Sequence, residues 1–234
     1  MSSYGIRIAT SFNITEEVEI SKSPTLPPIG KIKPLIEDGK KRQKTISLSN
    51  KQYKVFEGTF YKNKQKDIIV DGSPHSHYQE VTVFNIYYSS SAQLLIAEIN
   101  LDICTPFLRF LKENHPNAVK YYNISIDFGK IIRNKAYVDL VWFGTEDIHA
   151  KTKGFNGFEV HKNNEANDAI KNGKATYIKV KLDVTSNGTN ARRTVGFSQK
   201  SGIVIVNKND PSIDTEKKQL QLLLDTYNTY NKFT

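Results

Sequence analysis

The sequence predicts an α+β fold that is mainly antiparallel β-sheet, and three observations lead to that prediction. Several segments alternate apolar and polar side chains with the period of two typical of strands, most clearly 80–88 and 176–184. Only two segments, 106–113 and 211–230, have the apolar spacing of a helix. The strand segments follow one another across short turns, as in a meander. The predicted order is four strands, a helix, about four strands and a final helix.

The N-terminal residues are predicted to lie outside the main domain. We expect residues 1–50 to form an N-terminal segment with a Pro-rich basic arm, and residues 51–234 to form a single β-rich domain with a C-terminal helix. Proline fixes φ and removes a backbone donor, which disfavours regular structure. The arm contains four prolines and a basic run: Pro24, Pro27, Pro28, Pro34, Lys40, Lys41 and Arg42.

The first four strands are predicted at 53–61, 67–71, 80–88 and 93–99, with a charged turn at 63–66. A helix then begins at Thr105, a residue type that caps helices, with Pro106 at its first position.

A hairpin from Val119 to Phe143 is predicted as the centre of the fold, with runs 119–128 and 136–143 as its two strands. In the second run Val138, Leu140 and Trp142 share one apolar face, which we expect to face the core. Residues 144–173 are predicted to form a long polar loop with a short helix around 165–171.

The strand predicted at 176–184 has the clearest alternation. Ile178, Val180 and Leu182 are expected to face inward, while Tyr177, Lys179, Lys181 and Asp183 face outward. A turn at Asn187-Gly188 leads to a last strand pair at 192–197 and 202–206. Asp210 is predicted to cap the final helix.

Composition indicates a folded, basic protein. The 234 residues include 12 Tyr and 12 Phe and carry a net charge of +9, and a surplus of Lys and Arg attracts polyanions. The single cysteine, Cys104, excludes a disulfide framework within the chain and a multi-cysteine zinc site. Because no secretory signal and no long apolar stretch is present, we expect an intracellular protein with no membrane partner.

The order of elements from Tyr53 to Tyr230, two units of four strands and a helix, resembles the arrangement in Whirly proteins and the Pur family. It also resembles the single unit of the transcriptional positive-cofactor family. This resemblance implies binding of single-stranded DNA or RNA on a curved antiparallel sheet. The Lys-Gly-Lys-Ala-Ala-Leu signature of Whirly proteins is missing, so no functional residue carries over.

The residue types also favour a nucleic-acid binder, because exposed aromatic rings stack bases while Lys and Arg neutralise phosphates. We expect affinity that falls with salt and has little sequence preference. The predicted contact residues are Tyr177, Lys179, Lys181, Arg192, Arg193, Lys120, Tyr122, Lys40, Lys41 and Arg42.

No complete catalytic, metal or cofactor motif is present, so no catalytic residue, metal ligand or cofactor is predicted. His149-Ala150-Lys151 resembles the His-X-Lys core of phospholipase D-type phosphodiesterases but lacks the acidic residue five positions later, where Asn156 stands. His75-Ser76-His77 places two imidazoles on one side of an extended segment, predicted as a loop, without a third ligand.

The sequence therefore predicts a non-enzymatic protein that binds single-stranded nucleic acid, with a homo-oligomer left open. Three alternatives remain, of which a protein-interaction module with incidental charge is the weakest. Eight strands and a basic arm also describe a viral coat-like or other self-assembling β protein. A phosphodiesterase or nuclease would use His75, His77 or His149.

Overall fold

A computed structural model describes residues 2–134, 136–186, 189–206 and 215–233. It is mostly antiparallel β-sheet with a few helices, which confirms the predicted class. The chain forms two compact units. Unit 1 comprises the described residues within 1–6, 48–50 and 123–234, and unit 2 comprises residues 7–47 and 51–122.

The strands are β1 (Ser2–Phe12), β2 (Val18–Ile20), β3 (Gly30–Pro34), β4 (Thr45–Leu48), β5 (Lys51–Val70), β6 (Ser73–Ser89), β7 (Leu94–Ala97), β8 (Val119–Asn123), β9 (Tyr137–Gly144), β10 (Thr152–Asn156), β11 (Ala175–Ser186), β12 (Thr189–Ser198) and β13 (Gly202–Ile205). The helices are α1 (Leu101–Asn114), α2 (Phe128–Arg133), α3 (Asn164–Lys171) and α4 (Glu216–Asn231), with a 3₁₀ turn at Val160–Lys162.

In unit 1 the strands lie in the order β10, β9, β11, β12, β13 and the first half of β1. Helix α4 begins where the Thr215 side chain accepts a hydrogen bond from the Lys218 N–H. Its buried residues include Leu220 and Leu223, and the Tyr230 ring lies 6.1 Å from the ring of Phe197 on β12. The helix therefore covers one face of this sheet and closes the core of unit 1.

In unit 2 the order is the second half of β1, then β7, β6, β5, β3 and β2, with β8 beside β1. Helix α1 contributes Phe107, Leu108 and Leu111 to a core in which they are completely buried. Gly58 on β5 makes room for this packing, because a Cβ there would lie 2.8 Å from the Phe84 ring.

Strands β5 and β6 continue past the sheet of unit 2 as a two-stranded ribbon, residues 61–81. The ribbon reverses at Asp71 and Gly72, which have φ values of 49° and 79°. Its register runs from Tyr61 opposite Val81 to Val70 opposite Ser73, with a bulge between Gln65 and Ile68. Most of its side chains are exposed.

The ribbon corrects two predictions. The charged segment 63–66 does not form a turn, because its backbone pairs with β6 and β5 runs unbroken to Val70. His75-Ser76-His77 lies in β6 rather than in a loop. Both errors have one cause, since a ribbon exposed on both faces shows no apolar alternation.

The predicted hairpin from Val119 to Phe143 is wrong. Strand β8 pairs with β1, whereas β9 pairs with β10 and β11. Helix α2 lies between them, because the Asp127 side chain accepts from the Lys130 N–H and caps it. Phe128 and Ile131, three residues apart, are its buried residues.

The predicted order of elements and the Pro-rich arm are not confirmed. Strand β3, which ends at Pro34, pairs with both β2 and β5, and helix α1 begins at Leu101 with Pro106 inside it. The 144–173 segment contains β10 and also the predicted short helix, α3. The division of the chain into residues 1–50 and a single domain of residues 51–234 stays a prediction. Asn187-Gly188 and Asp210 lie outside the described residues.

Candidate nucleic-acid interface

The face of the unit 1 sheet opposite helix α4 carries aromatic and basic side chains. Along β11, Ile178, Val180 and Leu182 are buried, as predicted. Tyr177, Lys179 and Lys181 alternate with them and therefore point to the other face. Lys181 is exposed, whereas Tyr177 and Lys179 are partly buried.

A bulge turns Trp142 onto this same face, which corrects the prediction that it faces the core. In the pairing of β11 with β9, Lys179 is opposite Leu140 but Val180 is opposite Val138, so Asp139 is skipped. A skipped residue exchanges the two faces of a strand. Val138 and Val141 are consequently both buried, and Trp142 is 44% exposed.

The Trp142 and Tyr177 side chains both lie across glycines. Tyr177 is directly opposite Trp142 on the neighbouring strand. A Cβ added to Gly154 of β10 would lie 3.2 Å from the Trp142 ring, and one added to Gly196 of β12 would overlap the Tyr177 hydroxyl oxygen. Burial raises the pKa of the Tyr177 hydroxyl. The two rings can thus lie against the sheet because neither glycine has a side chain in the space that the ring occupies.

The cations beside these rings differ in how they are paired. Lys181 Nζ lies 3.4 Å from Asp139 Oδ2, and Arg192 Nε lies 3.1 Å from Asp183 Oδ1. The Arg192 guanidinium also lies 4.9 Å from the centre of the Tyr137 ring. Among the described residues, Lys179 has no ion-pair partner.

We call this surface the aromatic face, and it consists of Tyr137, Trp142, Tyr177, Lys179, Lys181 and Arg192 with their acidic partners Asp139 and Asp183. Three cations and two carboxylates leave it with one positive charge. The basic excess of the chain is not concentrated here.

Three other predicted contact residues lie elsewhere. Arg193 is opposite Leu182 in the β11–β12 register and therefore lies on the other face of the sheet from Arg192. Lys120 and Tyr122 are exposed on β8, at the end of unit 2. The Lys112 ammonium lies 6.0 Å from the Tyr122 ring, a distance at the limit of a cation–π contact.

The basic run Lys40, Lys41 and Arg42 lies in an exposed turn of unit 2 between β3 and β4. Glu37 accepts hydrogen bonds from Arg42 Nε and from Lys40 Nζ. These two bonds, that of Arg42 first, lower the pKa of Glu37 to about 2. The carboxylate therefore offsets part of the charge of this run.

The groups that a phosphodiesterase or nuclease would need are not brought together. His149 is exposed in the turn before β10, and its backbone N–H donates to Asp147 Oδ1 at 2.8 Å. In the part of the chain that the structure describes, no three His, Cys, Asp or Glu side chains are grouped as metal ligands. A cavity of about 260 Å³ in unit 1 is lined by Glu146, Glu165, Asp168 and Lys174 but by none of the three histidines considered.

Sequence reasoning missed the aromatic residues of β9 and both glycines of the aromatic face. Gly154 and Gly196 gave a signal, because a glycine inside a strand marks a place where another group approaches the backbone closely. Identifying that group required the strand order.

No helix in the described residues is long and apolar enough to cross a membrane. No protein-family model and no curated protein matches the chain.

Proposed function

We propose that the protein binds single-stranded nucleic acid on the aromatic face. The observation that carries this proposal is the pairing of Trp142 with Tyr177 on neighbouring strands, each over a glycine and on the side of the sheet away from α4. Rings held against a sheet keep one π-face available to a base, and stacking contributes about 1–3 kcal/mol per base.

Phosphate contacts play a secondary part in this proposal. Lys179 binds a phosphate without losing an ion pair, whereas Lys181 and Arg192 already hold carboxylates. For a single strand, the logarithm of the binding constant falls with the logarithm of the salt concentration, with a slope of about −0.7 for each phosphate that the protein neutralises. With one to three phosphates neutralised, we expect a slope between about −0.7 and −2. Because stacking does not distinguish bases strongly, sequence preference is small.

Trp142 provides a direct test, because it is the only tryptophan of the chain. We expect single-stranded DNA or RNA to quench its fluorescence on titration, since a base stacks on the ring itself. Duplex DNA, whose bases are already stacked, should quench it much less. Saturating binding without quenching would contradict the use of this face.

Variants test the contribution of each group. By fluorescence anisotropy with a labelled single strand, Trp142→Ala should weaken binding by about 5- to 150-fold, which corresponds to the stacking energy of one base. Lys179→Gln should weaken it less and reduce the salt slope. Lys217→Gln is the matched control, because it removes the same charge from an exposed position on α4. If the control variant weakens binding as much as Lys179→Gln, the proposal is wrong.

A further inference from the structure

Phe158 follows β10 on a segment that is anchored on both sides. Before it, the Gly157 N–H donates to the Asp139 carbonyl oxygen at 2.9 Å, which extends the pairing of β10 with β9 by one residue. After it, Val160 is buried. Glu159, between them, has a φ of 50°, a left-handed conformation that a residue with a side chain adopts only at a cost in energy. The chain therefore holds Phe158 in a fixed place at this end of the sheet.

Phe158 forms a second ring pair with Tyr137 of the aromatic face. The two ring centres are 6.1 Å apart and the ring planes are inclined by 31°. The Arg192 guanidinium lies 4.9 Å from the centre of the Tyr137 ring. Phe158 is nevertheless 74% exposed. Tyr137 thus covers only part of the Phe158 ring, and the rest of that ring is accessible to a base.

The strand register gives the spacing between this pair and the first ring pair, Trp142 with Tyr177. Tyr177 is opposite Trp142, and Lys181 is opposite Tyr137. Four residues of β11 separate the two positions, which is about 13 Å at a rise of about 3.3 Å per residue. Lys179 lies between them on the same face. A stacked single strand rises about 3.4 Å per nucleotide, so about four steps cover this distance, and an unstacked strand needs fewer.

Rings at both ends with cations between them match the alternation of bases and phosphates along a nucleic acid. We propose that one single strand occupies both ring pairs at once, with one base on Trp142, a second base on Phe158, and the phosphates between these bases near Lys179 and Lys181. This inference rests on the proposed function and adds the length of its ligand. A strand of up to about five nucleotides spans the site, whereas a dinucleotide fills only one ring pair.

Two ring pairs joined by one ligand predict a steep dependence of affinity on strand length. Once the first base is bound, the second binds from within the same molecule, at a high effective concentration. Oligothymidylates of two, five and eight nucleotides test this, with binding followed by quenching of Trp142 fluorescence. The association constant should rise at least tenfold between two and five nucleotides. It should rise much less between five and eight, because both ring pairs are then already occupied.

Substitutions of Phe158 show whether the second ring pair causes this rise. Phe158→Ala should weaken binding of the eight-nucleotide strand by about 5- to 150-fold, the range for one stacked base. It should leave the dinucleotide unchanged, because quenching reports a base on Trp142. Phe158→Tyr keeps an aromatic ring and should bind like the parent protein. Ile69→Ala is the matched control, because it removes an apolar side chain that is 77% exposed, on the ribbon of unit 2.

The outcomes separate this inference from the proposed function. If no strand of any length quenches Trp142, the proposed function fails, and the inference fails with it. If strands quench Trp142 but Phe158→Ala binds the eight-nucleotide strand like the parent protein, only the inference is overturned. It is also overturned if Phe158→Ala weakens the dinucleotide as much as the longer strand, since Phe158 would then only support the first ring pair. An equal loss in Ile69→Ala would contradict it as well.

Discussion

The aromatic face of unit 1 and the ribbon, residues 61–81, both expose antiparallel strands, but only the aromatic face has a packed layer behind it. The aromatic face belongs to a sheet whose other side is packed by α4, so its rings are held in fixed positions. The ribbon has two exposed faces and only its own strands for support. Side chains therefore keep fixed positions where a packed helix supports the sheet, whereas most side chains of the ribbon lie in solvent.

Weakening the packing of α4 behind the aromatic face should have the largest effect, a loss in the free energy of unfolding. Leu223 on α4 is fully buried, and Leu→Ala substitutions at such sites cost about 2–5 kcal/mol because they remove apolar contact and leave a cavity. We expect Leu223→Ala to lower the free energy of unfolding by this amount in a urea titration.

Val81→Ala on the ribbon is the comparison variant. Because Val81 is more than half exposed, its truncation should change the stability of the dilute protein by less than about 0.5 kcal/mol. Equal losses for the two variants would contradict the difference in packing between the α4 layer and the ribbon.

Filling the space beneath Tyr177 should have a smaller effect, a loss of affinity for a single strand. Gly196→Ala puts a methyl group where the Tyr177 hydroxyl lies, so the ring must lift from the sheet. We expect single-strand affinity to fall by about tenfold, within the range of one stacked base, while the far-ultraviolet circular dichroism stays unchanged. Gly144→Ala is the control, because no atom lies within 4 Å of its added Cβ. Unchanged affinity in Gly196→Ala would mean that the Tyr177 ring position does not matter for binding.

A pH-dependent effect on stability is expected from the core of unit 2, from which the ribbon extends. Burial raises the pKa of the Cys104 thiol from an ordinary value of 9.0 to about 11. The folded state thus holds this proton more tightly than the unfolded state. The resulting stability is complete below pH 9 and is lost as the pH rises from about 9 to 11, by at most about 1.4 kcal/mol per pH unit.

Urea titrations at several alkaline pH values measure this loss. Cys104→Ala should remove part of the decline between pH 9 and 11, even though it lowers stability overall. The decline that remains should include buried tyrosines such as Tyr53, whose pKa burial raises to about 12. Identical pH dependence in the two proteins would show that the thiol does not contribute.

The sequence predicted the parts of the fold in which one strand or helix has a single buried face. The alternation of Ile178, Val180 and Leu182 placed β11 correctly, and Leu220 and Leu223 identified the last helix. In these elements the buried residues recur with the period of a strand or a helix, so the local sequence pattern is enough to identify the element and its buried face.

Other parts depend on partners distant in sequence. Trp142 faces outward only because a bulge forms in the pairing with β11, about 40 residues away. The segments 119–128 and 136–143 looked like a hairpin because each has strand propensity, but β8 pairs with β1, more than 100 residues before it. Of the predicted site, the β11 residues and Arg192 come together on one face of unit 1, whereas Arg193 lies on the other face of that sheet. Lys120, Tyr122 and the 40–42 run belong to unit 2.

Because strand β1 is shared by the two units, its pairing is completed late during synthesis of the chain. Its first half belongs to unit 1, where Ser2 pairs with Ile205, and its second half belongs to unit 2, which is complete at Tyr122. At about 5–20 residues per second, roughly 4–17 s separate the emergence of Tyr122 from that of Ile205 at the ribosome. Unit 2 should therefore fold before β13, the partner of the first half of β1, has been synthesised. During that interval the beginning of β1 is an unpaired strand edge, which is the point where a chaperone would act or where aggregation would begin.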